Sequence, residues 1–396
     1  MITIHEAKRI VEGRVEQLGN ETVPLSEAVG RILADDVSAD RDLPPFDRSQ
    51  MDGFAVKAKD TSDPPAELQI AGVSAAGSGW HNVLRDGQAV RIMTGAPVPE
   101  GADSVQKVEL TEESDGVVRI LKQAAPGLNI VRKAAEIRKG DRVFARGDRI
   151  TKTMIASLAS FGLANVPVSK RPRLKILSTG SEIVEVGTVP GPDQIRNSNS
   201  SMLAAFAEEF AEVELLPSAV DDPDGLAKAI EEALERCDCL IISGGVSVGD
   251  FDFTKPVLGR LGAEIFFEKI SLKPGKPTVF ARRRNVFIFG LPGNPVSIAV
   301  TFFVFVRMAL LLMQGAAEFD LPSGRAVLSH SIKGAKGRDS MLPVKLSQDI
   351  SGRTLIKSLK FSGSSNFVAF ANANAFVFVP ADKDLEEGET AEIFYF

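Results

Sequence analysis

A run of apolar residues that ends in glycines and acids is the strongest candidate for chemistry in this chain. It occupies residues 237–252, and its polar turn carries Gly244, Gly245, Ser247, Asp250 and Asp252. Ligands of open α/β sheets bind at the carboxyl ends of strands. A buried strand that opens into such a turn is therefore a candidate ligand site.

Three further loops follow predicted strands in the same part of the chain. They contain Glu182, Asp221 and the segment from Pro292 to Pro295. The carboxyl ends of parallel strands meet at one edge of a sheet, so we expect these loops to lie together. Lysines approach the same edge from a Pro-Gly turn, and these are Lys269, Lys273 and Lys276.

This combination predicts a site for a phosphorylated ligand and a hard cation. Glycine-rich turns and helix starts offer backbone N–H groups to anions, and lysines add positive charge. Carboxylates are the side chains that bind Mg²⁺ in proteins. Each member also has a plainer interpretation, because acids cap helices or form turns, Lys269 fits a solvated strand position, and Pro292 and Pro295 suit a helix start. Taken together, the residues favour the site.

Other common catalytic arrangements do not stand out. The sequence has no apparent Ser–His or Cys–His arrangement, HExxH motif, Walker loop or GxGxxG motif. This argues against nucleophilic hydrolysis, zinc hydrolysis, P-loop NTPases and dinucleotide oxidoreductases. Cys237 and Cys239 fall on one face of an apolar strand, and buried apolar packing is a better interpretation of them than metal binding.

The composition is that of a soluble globular protein. The chain has 396 residues, of which 44% are hydrophobic and 25% charged, and its net charge is −6. This charge argues against nucleic-acid binding. The first residues lack a signal-peptide pattern. The apolar run at residues 296–313 approaches the length of a membrane span, but it contains Arg307 and follows a strand. We therefore predict a buried helix, no membrane association and a cytoplasmic location.

The elements that position these loops fall into distinct regions. Apolar spacing at the N-terminus predicts a helix, and a second, shorter helix is predicted over residues 27–34. Short strands and Gly/Pro turns over residues 60–135 are typical of a small inserted β domain. From residue 172 strands alternate with helices, which predicts a mostly parallel, doubly wound sheet. Alternating segments after residue 321 predict a small β-barrel or sandwich.

Six motifs in this order resemble the MoeA family, the molybdopterin molybdenumtransferases, which are related to the E domain of gephyrin. They are PPFDRSQMDGFAV, IMTGAPVPEGAD, STGSE, SGGVSVGDFD, KPGKP and GLPGNPVS. The resemblance implies a multidomain α/β fold with four parts. These are a helical segment (1–42 and 138–170), an inserted β domain (43–137), a doubly wound molybdopterin-binding α/β domain (171–320) and a C-terminal β-barrel (321–396).

The resemblance also implies a reaction. Molybdate is inserted into the dithiolene of adenylylated molybdopterin, with Mg²⁺, and AMP is released. Family members form homodimers, so the site is expected to combine the α/β domain of one subunit with Asp52 of the other. Because no adenylyltransferase-like domain is fused to this chain, a separate adenylyltransferase is expected to supply the substrate.

The resemblance also implies roles for the residues at positions that match the family's motifs. The acids expected to act in catalysis are Asp52, Glu182, Asp221 and Asp252, of which the last three are also the expected Mg²⁺ ligands. The residues expected to bind substrate are Thr94, Gly244, Gly245, Ser247, Lys269, Lys273, Lys276, Pro292, Pro295, Arg338 and Ser364.

Two positions depart from the family pattern. Phe54 stands where a tyrosine is usual, so a hydroxyl contact is absent there, and Glu136 stands where an aspartate is more common.

Two other functions stay open: a scaffold that binds a partner, as the gephyrin relative does, and a related molybdopterin adenylyltransferase. Retention of the family's acidic and basic residues argues against the scaffold.

Overall fold

A six-stranded sheet organises the larger of two units in the computed structural model of this protein. The structure describes residues 1–219, 222–245, 253–359 and 363–396. The larger unit comprises Met1–Asp35, Arg146–Ile155 and Asn165–Phe396, and the smaller unit comprises Asp36–Ala145 and Ala156–Ala164. In order across the sheet, its strands are Glu212–Leu215, Arg173–Ser178, Cys239–Ser243, Val286–Leu291, Val279–Arg283 and Glu264–Phe267.

The strand order creates a switch point at the centre of this sheet. The first four strands are parallel, whereas the last two pair antiparallel. From Arg173–Ser178 the chain crosses to Glu212–Leu215 on one side, and from Cys239–Ser243 the later strands are added on the other side. Open α/β sheets bind ligands in the crevice that such a reversal leaves at the carboxyl ends of the strands.

Both faces of the sheet are buried, which explains why its central strands are continuously apolar. Ile176 and Ile241 pack on the face that carries the helices Ser198–Ala207 and Pro295–Thr301. Their neighbours Leu177 and Leu240 point to the opposite face and pack against the helices Pro223–Ala233 and Thr254–Arg260. Complete burial of one such aliphatic side chain contributes roughly 1.5–3 kcal/mol to folding.

The long apolar helix lies inside the larger unit. It runs through Pro295–Thr301, a π-helical stretch Phe302–Val306 and Arg307–Met313. By length and composition it resembles a membrane span, but 89% of it is buried within the protein. Arg307 donates to the carbonyls of Phe319 (3.0 Å) and Asp320 (3.2 Å). Burial lowers the pKa of this guanidinium.

The C-terminal strands close into a five-stranded barrel. They are Ser323–Leu328, Asp339–Gln348, Thr354–Ser358, Ala375–Val379 and Thr390–Tyr395. Each pairs with two others of the five, so the ring has no free edge, and its interior is filled by aliphatic residues such as Val344 and Ile356. A short helix, Phe367–Phe370, precedes Ala375–Val379. The short strand Leu272–Lys273 pairs with the start of Asp339–Gln348.

The N-terminal segment contains one of its two predicted helices. Ile4–Arg14 is helical and begins with a capping box, in which Thr3 and Glu6 bond each other's backbone N–H groups. The prediction of a second helix over residues 27–34 is wrong. A single 3₁₀ turn, Leu25–Glu27, stands there, because Gly30 adopts a φ of +82° and the chain then pairs in extended form with other strands. The strands Asn20–Pro24 and Asn165–Ser169 pair antiparallel beside it.

The smaller unit is built on a second six-stranded sheet. Its strands, in spatial order, are Ser104–Lys107, Gly53–Val56, Gln88–Ile92, Ala66–Ser74, Val117–Ile120 and Thr111–Ser114. It also contains two short ladders, Arg48–Ser49 with Ile130–Val131 and Val37–Ser38 with Arg142–Phe144, and the 3₁₀ turns Ala58–Thr61 and Val108–Leu110. Most of the helix Met154–Ser160 belongs to it as well. The predicted fold class, a multidomain α/β protein with an inserted β domain and a C-terminal barrel, is confirmed.

Candidate functional site

A cavity of about 1480 Å³ lies at the carboxyl edge of the central sheet. Its walls come from the ends of Arg173–Ser178 and Cys239–Ser243, the loops that follow them, and the start of the helix at Pro295. Strand register explains this convergence, because Ser178 lies opposite Ser243, and Ser243 lies opposite Leu291. Predicted site residues among the lining are Glu182, Gly244, Gly245 and Pro295.

The two glycines allow the backbone to approach Thr179. Gly244 has a φ of +95°, and a Cβ there would lie 2.8 Å from the carbonyl oxygen of Thr179. Gly245 has a φ of +61°, and a Cβ there would lie 2.9 Å from the hydroxyl of Thr254. The Thr179 hydroxyl is buried and has no hydrogen-bond partner within the described residues. Because an unpaired buried polar group is costly, a ligand that bonds this hydroxyl would gain affinity from the contact.

Asparagines give the cavity more polar groups than the sequence had suggested. Asn197 caps the helix Ser198–Ala207 through its side-chain oxygen, and its Nδ2 donates to Ser178 Oγ at 2.9 Å. Asn199 donates to the Gly293 carbonyl at 2.8 Å, while its own Oδ1 is buried without a partner in the described part of the chain. The Ser/Asn-rich sequence at the start of this helix, residues 197–201, is the signal in the sequence for these polar groups.

Two described carboxylates line this cavity. Glu182 folds back over Gly180, whose Cβ position would lie 2.6–2.7 Å from the two carboxylate oxygens. Asp222 caps the helix Pro223–Ala233 and accepts from the backbone N–H groups of Asp224 and Gly225 at 3.0 and 2.7 Å. Within the described ranges no group of three His, Cys, Asp or Glu side chains is placed to hold a metal ion. These residues alone therefore do not form a magnesium site.

A second cavity, of about 630 Å³, adjoins the first and has a basic wall. It collects predicted substrate-binding residues from distant parts of the chain, namely Lys273, Lys276, Pro292, Arg338 and Ser364. No carboxylate within the described residues forms an ion pair with its three cationic side chains. Three cations around one concave space, without an ion-pair partner among the described residues, are suited to an oxyanion with more than one negative charge.

Pairing between the barrel and the α/β domain assembles this basic wall. Lys273 lies opposite Ser340 in a short parallel ladder, and the Asp339 N–H donates to the Ser271 carbonyl at 3.2 Å. The Ser271 hydroxyl also donates to the Gly337 carbonyl at 2.9 Å. The lysine turn and Arg338 are therefore brought together by contacts that no local sequence pattern encodes.

The two cavities meet at Gly293 and Asn294, which line both. Asn294 Nδ2 donates to Ser364 Oγ at 2.9 Å, and the Val296 N–H donates to the Ser364 carbonyl at 3.1 Å. The N-terminal end of the long apolar helix begins here, and its dipole favours negative charge at this end. An elongated anionic ligand can thus occupy both spaces along one continuous surface.

The remaining predicted residues of this part of the chain fall into two groups. Asp221, Ser247 and Asp252 fall outside the described residues. Lys269 lines neither cavity, and its carbonyl accepts from the Ile2 N–H at 3.2 Å.

In the smaller unit, Asp52 and Thr94 are hydrogen-bonded to each other. Asp52 Oδ1 accepts from the Thr94 N–H at 2.6 Å and from its hydroxyl at 2.8 Å. The backbone bond, followed by the hydroxyl bond, lowers the pKa of Asp52. Glu136 forms a 3.6 Å ion pair with Arg48. Phe54, which stands in place of the usual tyrosine, is a buried core residue that is 1% exposed.

The cysteines are buried, as predicted. Burial raises the pKa of the Cys237 thiol to about 11, and it raises that of Cys239 well above the usual thiol range. Neither thiol is therefore ionised near neutral pH, which fits their interpretation as small apolar residues.

Comparison with known proteins identifies the family. Residues 2–162 match the family described as MoeA N-terminal region (domain I and II). Residues 175–311 match a probable molybdopterin binding domain, and residues 325–396 match the MoeA C-terminal region (domain IV).

Full-length relatives agree with these matches. The chain is 35% identical to the molybdopterin molybdenumtransferase of Bacillus subtilis over 402 residues, which cover 99% of this chain and 93% of that protein. It is also 35% identical to the enzyme of the same name from Haemophilus influenzae, over 99% of this chain and 98% of that one. The crystal structure of the molybdopterin biosynthesis moeA protein from Pyrococcus horikoshii OT3 superimposes with a TM-score of 0.86 and 29% identity over the whole of both chains. From these matches, and from the fold they share, the chain belongs to the MoeA family.

Proposed function

We propose that this protein inserts molybdate into adenylylated molybdopterin and releases AMP, in a Mg²⁺-dependent reaction. Family membership makes the chain a transferase of molybdenum cofactor biosynthesis. The observation that carries the finer proposal is the junction of the two cavities at Gly293 and Asn294. One cavity has the polar, glycine-rich walls suited to a phosphorylated heterocycle, and the other has three cations suited to an oxyanion.

The proposed binding mode assigns one part of the reaction to each cavity. Lys273, Lys276 and Arg338 neutralise molybdate and hold it beside the dithiolene. Thr179 and the Gly244–Gly245 turn bind the adenylylated molybdopterin, so that both reactants are fixed next to each other. Fixing two reactants in this way converts a bimolecular reaction into an effectively unimolecular one.

Magnesium is proposed to be held by Glu182, Asp221 and Asp252. A divalent cation there would neutralise charge on the phosphoanhydride. Of the three, Glu182 lies in the described cavity wall.

Two experiments test the role of magnesium. Chelation by EDTA is expected to stop AMP release, and added Mg²⁺ is expected to restore it. Asp252→Asn is expected to slow the release at saturating substrate, and wild-type rates with unchanged ligand affinity would contradict the assigned role.

The oligomeric state, the cellular location and the source of the substrate are also part of the proposal. We propose a cytoplasmic homodimer in which Asp52 of one subunit completes the site of the other, with a separate adenylyltransferase as the source of the substrate. Asp52 and Thr94 support this, because the two hydrogen bonds between them, called here the Asp52–Thr94 clasp, hold the Asp52 carboxylate in an exposed turn. The predicted domain boundaries, 1–42 with 138–170, 43–137, 171–320 and 321–396, are kept as part of this proposal.

The decisive experiment measures molybdate-dependent AMP release from adenylylated molybdopterin. Lys276→Ala removes one cation from the basic cavity and is expected to reduce the rate roughly 10²-fold, as for the loss of one group from a preorganised anion site. Lys345→Ala is the matched control, because Lys345 is an exposed lysine of the barrel that lines neither cavity.

The same assay separates this function from its alternatives. No AMP release by the wild-type protein, with or without molybdate, would reject the proposal. Consumption of ATP with molybdopterin that is not adenylylated would instead indicate an adenylyltransferase.

A further inference from the structure

Phe367 contributes the aromatic ring among the described residues that line the larger cavity. It belongs to the short helix Phe367–Phe370 between two barrel strands, and 51% of its surface is exposed. The rest of the lining is mainly polar, glycine-rich or aliphatic. A flat apolar ring therefore stands at the wall of a cavity that otherwise offers hydrogen-bonding groups.

The segment that carries this ring is anchored on both sides. Upstream, Ser364 bonds to Asn294 and Val296 of the α/β domain. Downstream, Phe370 is 7% exposed, and its ring centroid lies 6.4 Å from that of Phe206 in an edge-to-face arrangement. The helix between them is capped by Asn366, whose side-chain oxygen accepts from the Ala369 N–H at 3.1 Å. Phe370 thus anchors the segment in the core, and Phe367 is left facing the cavity.

Packing against the described residues covers only part of the Phe367 side chain. A phenylalanine that is 51% exposed leaves about half of its surface outside the fold, so its burial contributes less than that of Phe370, which is 7% exposed. An exposed ring face held at a ligand cavity is, however, well suited to stacking, because every heteroaromatic base has a π-face and offset stacking adds to apolar burial.

We propose that Phe367 is a stacking platform for the planar heteroaromatic ring of the ligand, a fused nitrogen bicycle of the adenine or pterin type. This inference rests on the proposed function, since it names the residue that binds the flat part of that substrate. The C-terminal barrel then contributes to both cavities: cationic and hydroxyl groups to the oxyanion site, and an aromatic face to the ring site.

The test is a calorimetric titration of the full-length protein with AMP, with ribose 5-phosphate and with neopterin. Phe367→Ala is expected to weaken AMP or neopterin binding about tenfold, a change that corresponds to about 1.4 kcal/mol. Ribose 5-phosphate, which carries the phosphate and sugar without a ring, is expected to bind equally to both proteins. A loss confined to AMP identifies adenine as the stacked ring, and a loss confined to neopterin identifies the pterin.

Two further variants test whether the π-face matters. Phe367→Trp is expected to retain wild-type affinity, whereas Phe367→Leu, which keeps apolar area without a ring, is expected to behave like the alanine variant. Val368→Ala is the matched control, because Val368 is 67% exposed on the same short helix and does not line the cavity.

Three results would overturn the proposal. They are unchanged affinity for AMP and neopterin in Phe367→Ala, an equal loss for ribose 5-phosphate, and full affinity in Phe367→Leu. Failure of the wild-type protein to bind AMP and neopterin would likewise overturn the stacking proposal, whereas absence of AMP release from adenylylated molybdopterin rejects the proposed function, so the two failures are distinguishable.

Discussion

Asn294 donates a hydrogen bond from Nδ2 to the hydroxyl of Ser364 across 2.9 Å. The first residue precedes the long apolar helix and lines both cavities, and the second belongs to the C-terminal barrel. Together with the bond from the Val296 N–H to the Ser364 carbonyl, this contact joins the barrel to the α/β domain at the centre of the candidate site. It is one of several contacts, together with the Lys273–Ser340 pairing, that place the basic cavity beside the glycine turn.

A double-mutant cycle on this pair is expected to show coupling. Asn294→Ala and Ser364→Ala each remove the same side-chain bond, so the double variant should be less destabilised than the sum of the singles, by about 0.5–1 kcal/mol. The free energy of unfolding in urea measures this. Because Asn294 is exposed, each single substitution should cost little more than this coupling energy, while the KM for molybdate should rise in both. Strict additivity of the two variants would argue against the contact.

The glycine turn gives a second prediction. Gly244→Ala places a Cβ at a φ of +95° and within 2.8 Å of the Thr179 carbonyl oxygen, and it is expected to cost about 1–3 kcal/mol of stability. Gly259→Ala is the control, since this exposed glycine lies in the helix Thr254–Arg260 with no neighbouring atom within 4 Å of the Cβ position. That change is expected to stabilise by up to about 1 kcal/mol. Equal effects of the two substitutions would contradict the predicted crowding at Gly244.

The Asp52–Thr94 clasp predicts a pH dependence of stability. The bonds from Thr94 lower the pKa of Asp52 below its unfolded value of about 3.9. The ionised carboxylate therefore stabilises the folded state above the unfolded pKa, and this contribution is lost as the pH falls through the lowered folded pKa. Melting temperatures at pH 7 and at pH 3 measure it.

Asp52→Asn keeps the shape of the side chain but removes its charge. Its melting temperature is expected to fall below that of the wild type at pH 7 and to approach it at pH 3. Asp63→Asn, which removes one exposed negative charge from the same unit, is the control. A difference between Asp52→Asn and wild type that does not change with pH would show that the clasp does not depend on ionisation.

Local patterns in the sequence were sufficient for most of the α/β domain. The continuous apolar run that ends at Gly244 predicts a strand buried on both faces, and the structure places Cys239–Ser243 at the centre of the sheet. Such patterns are informative because burial on two faces leaves no room for polar residues. The prediction of a helix over residues 27–34 was wrong because extended pairing with residues distant in the sequence outweighed the local apolar spacing.

By itself, the sequence determined the family, the fold class and the types of residue available for chemistry. Motif order, glycine turns and the apolar run carry that information locally. Tertiary structure decided which of those residues share a space. Lys273 and Lys276 meet Arg338 and Ser364 through pairing between domains, and Phe367 lines the larger cavity on a segment that Phe370 anchors in the core. The physical reason is that proximity across the chain is set by strand register and packing, whereas a motif constrains only its own neighbours.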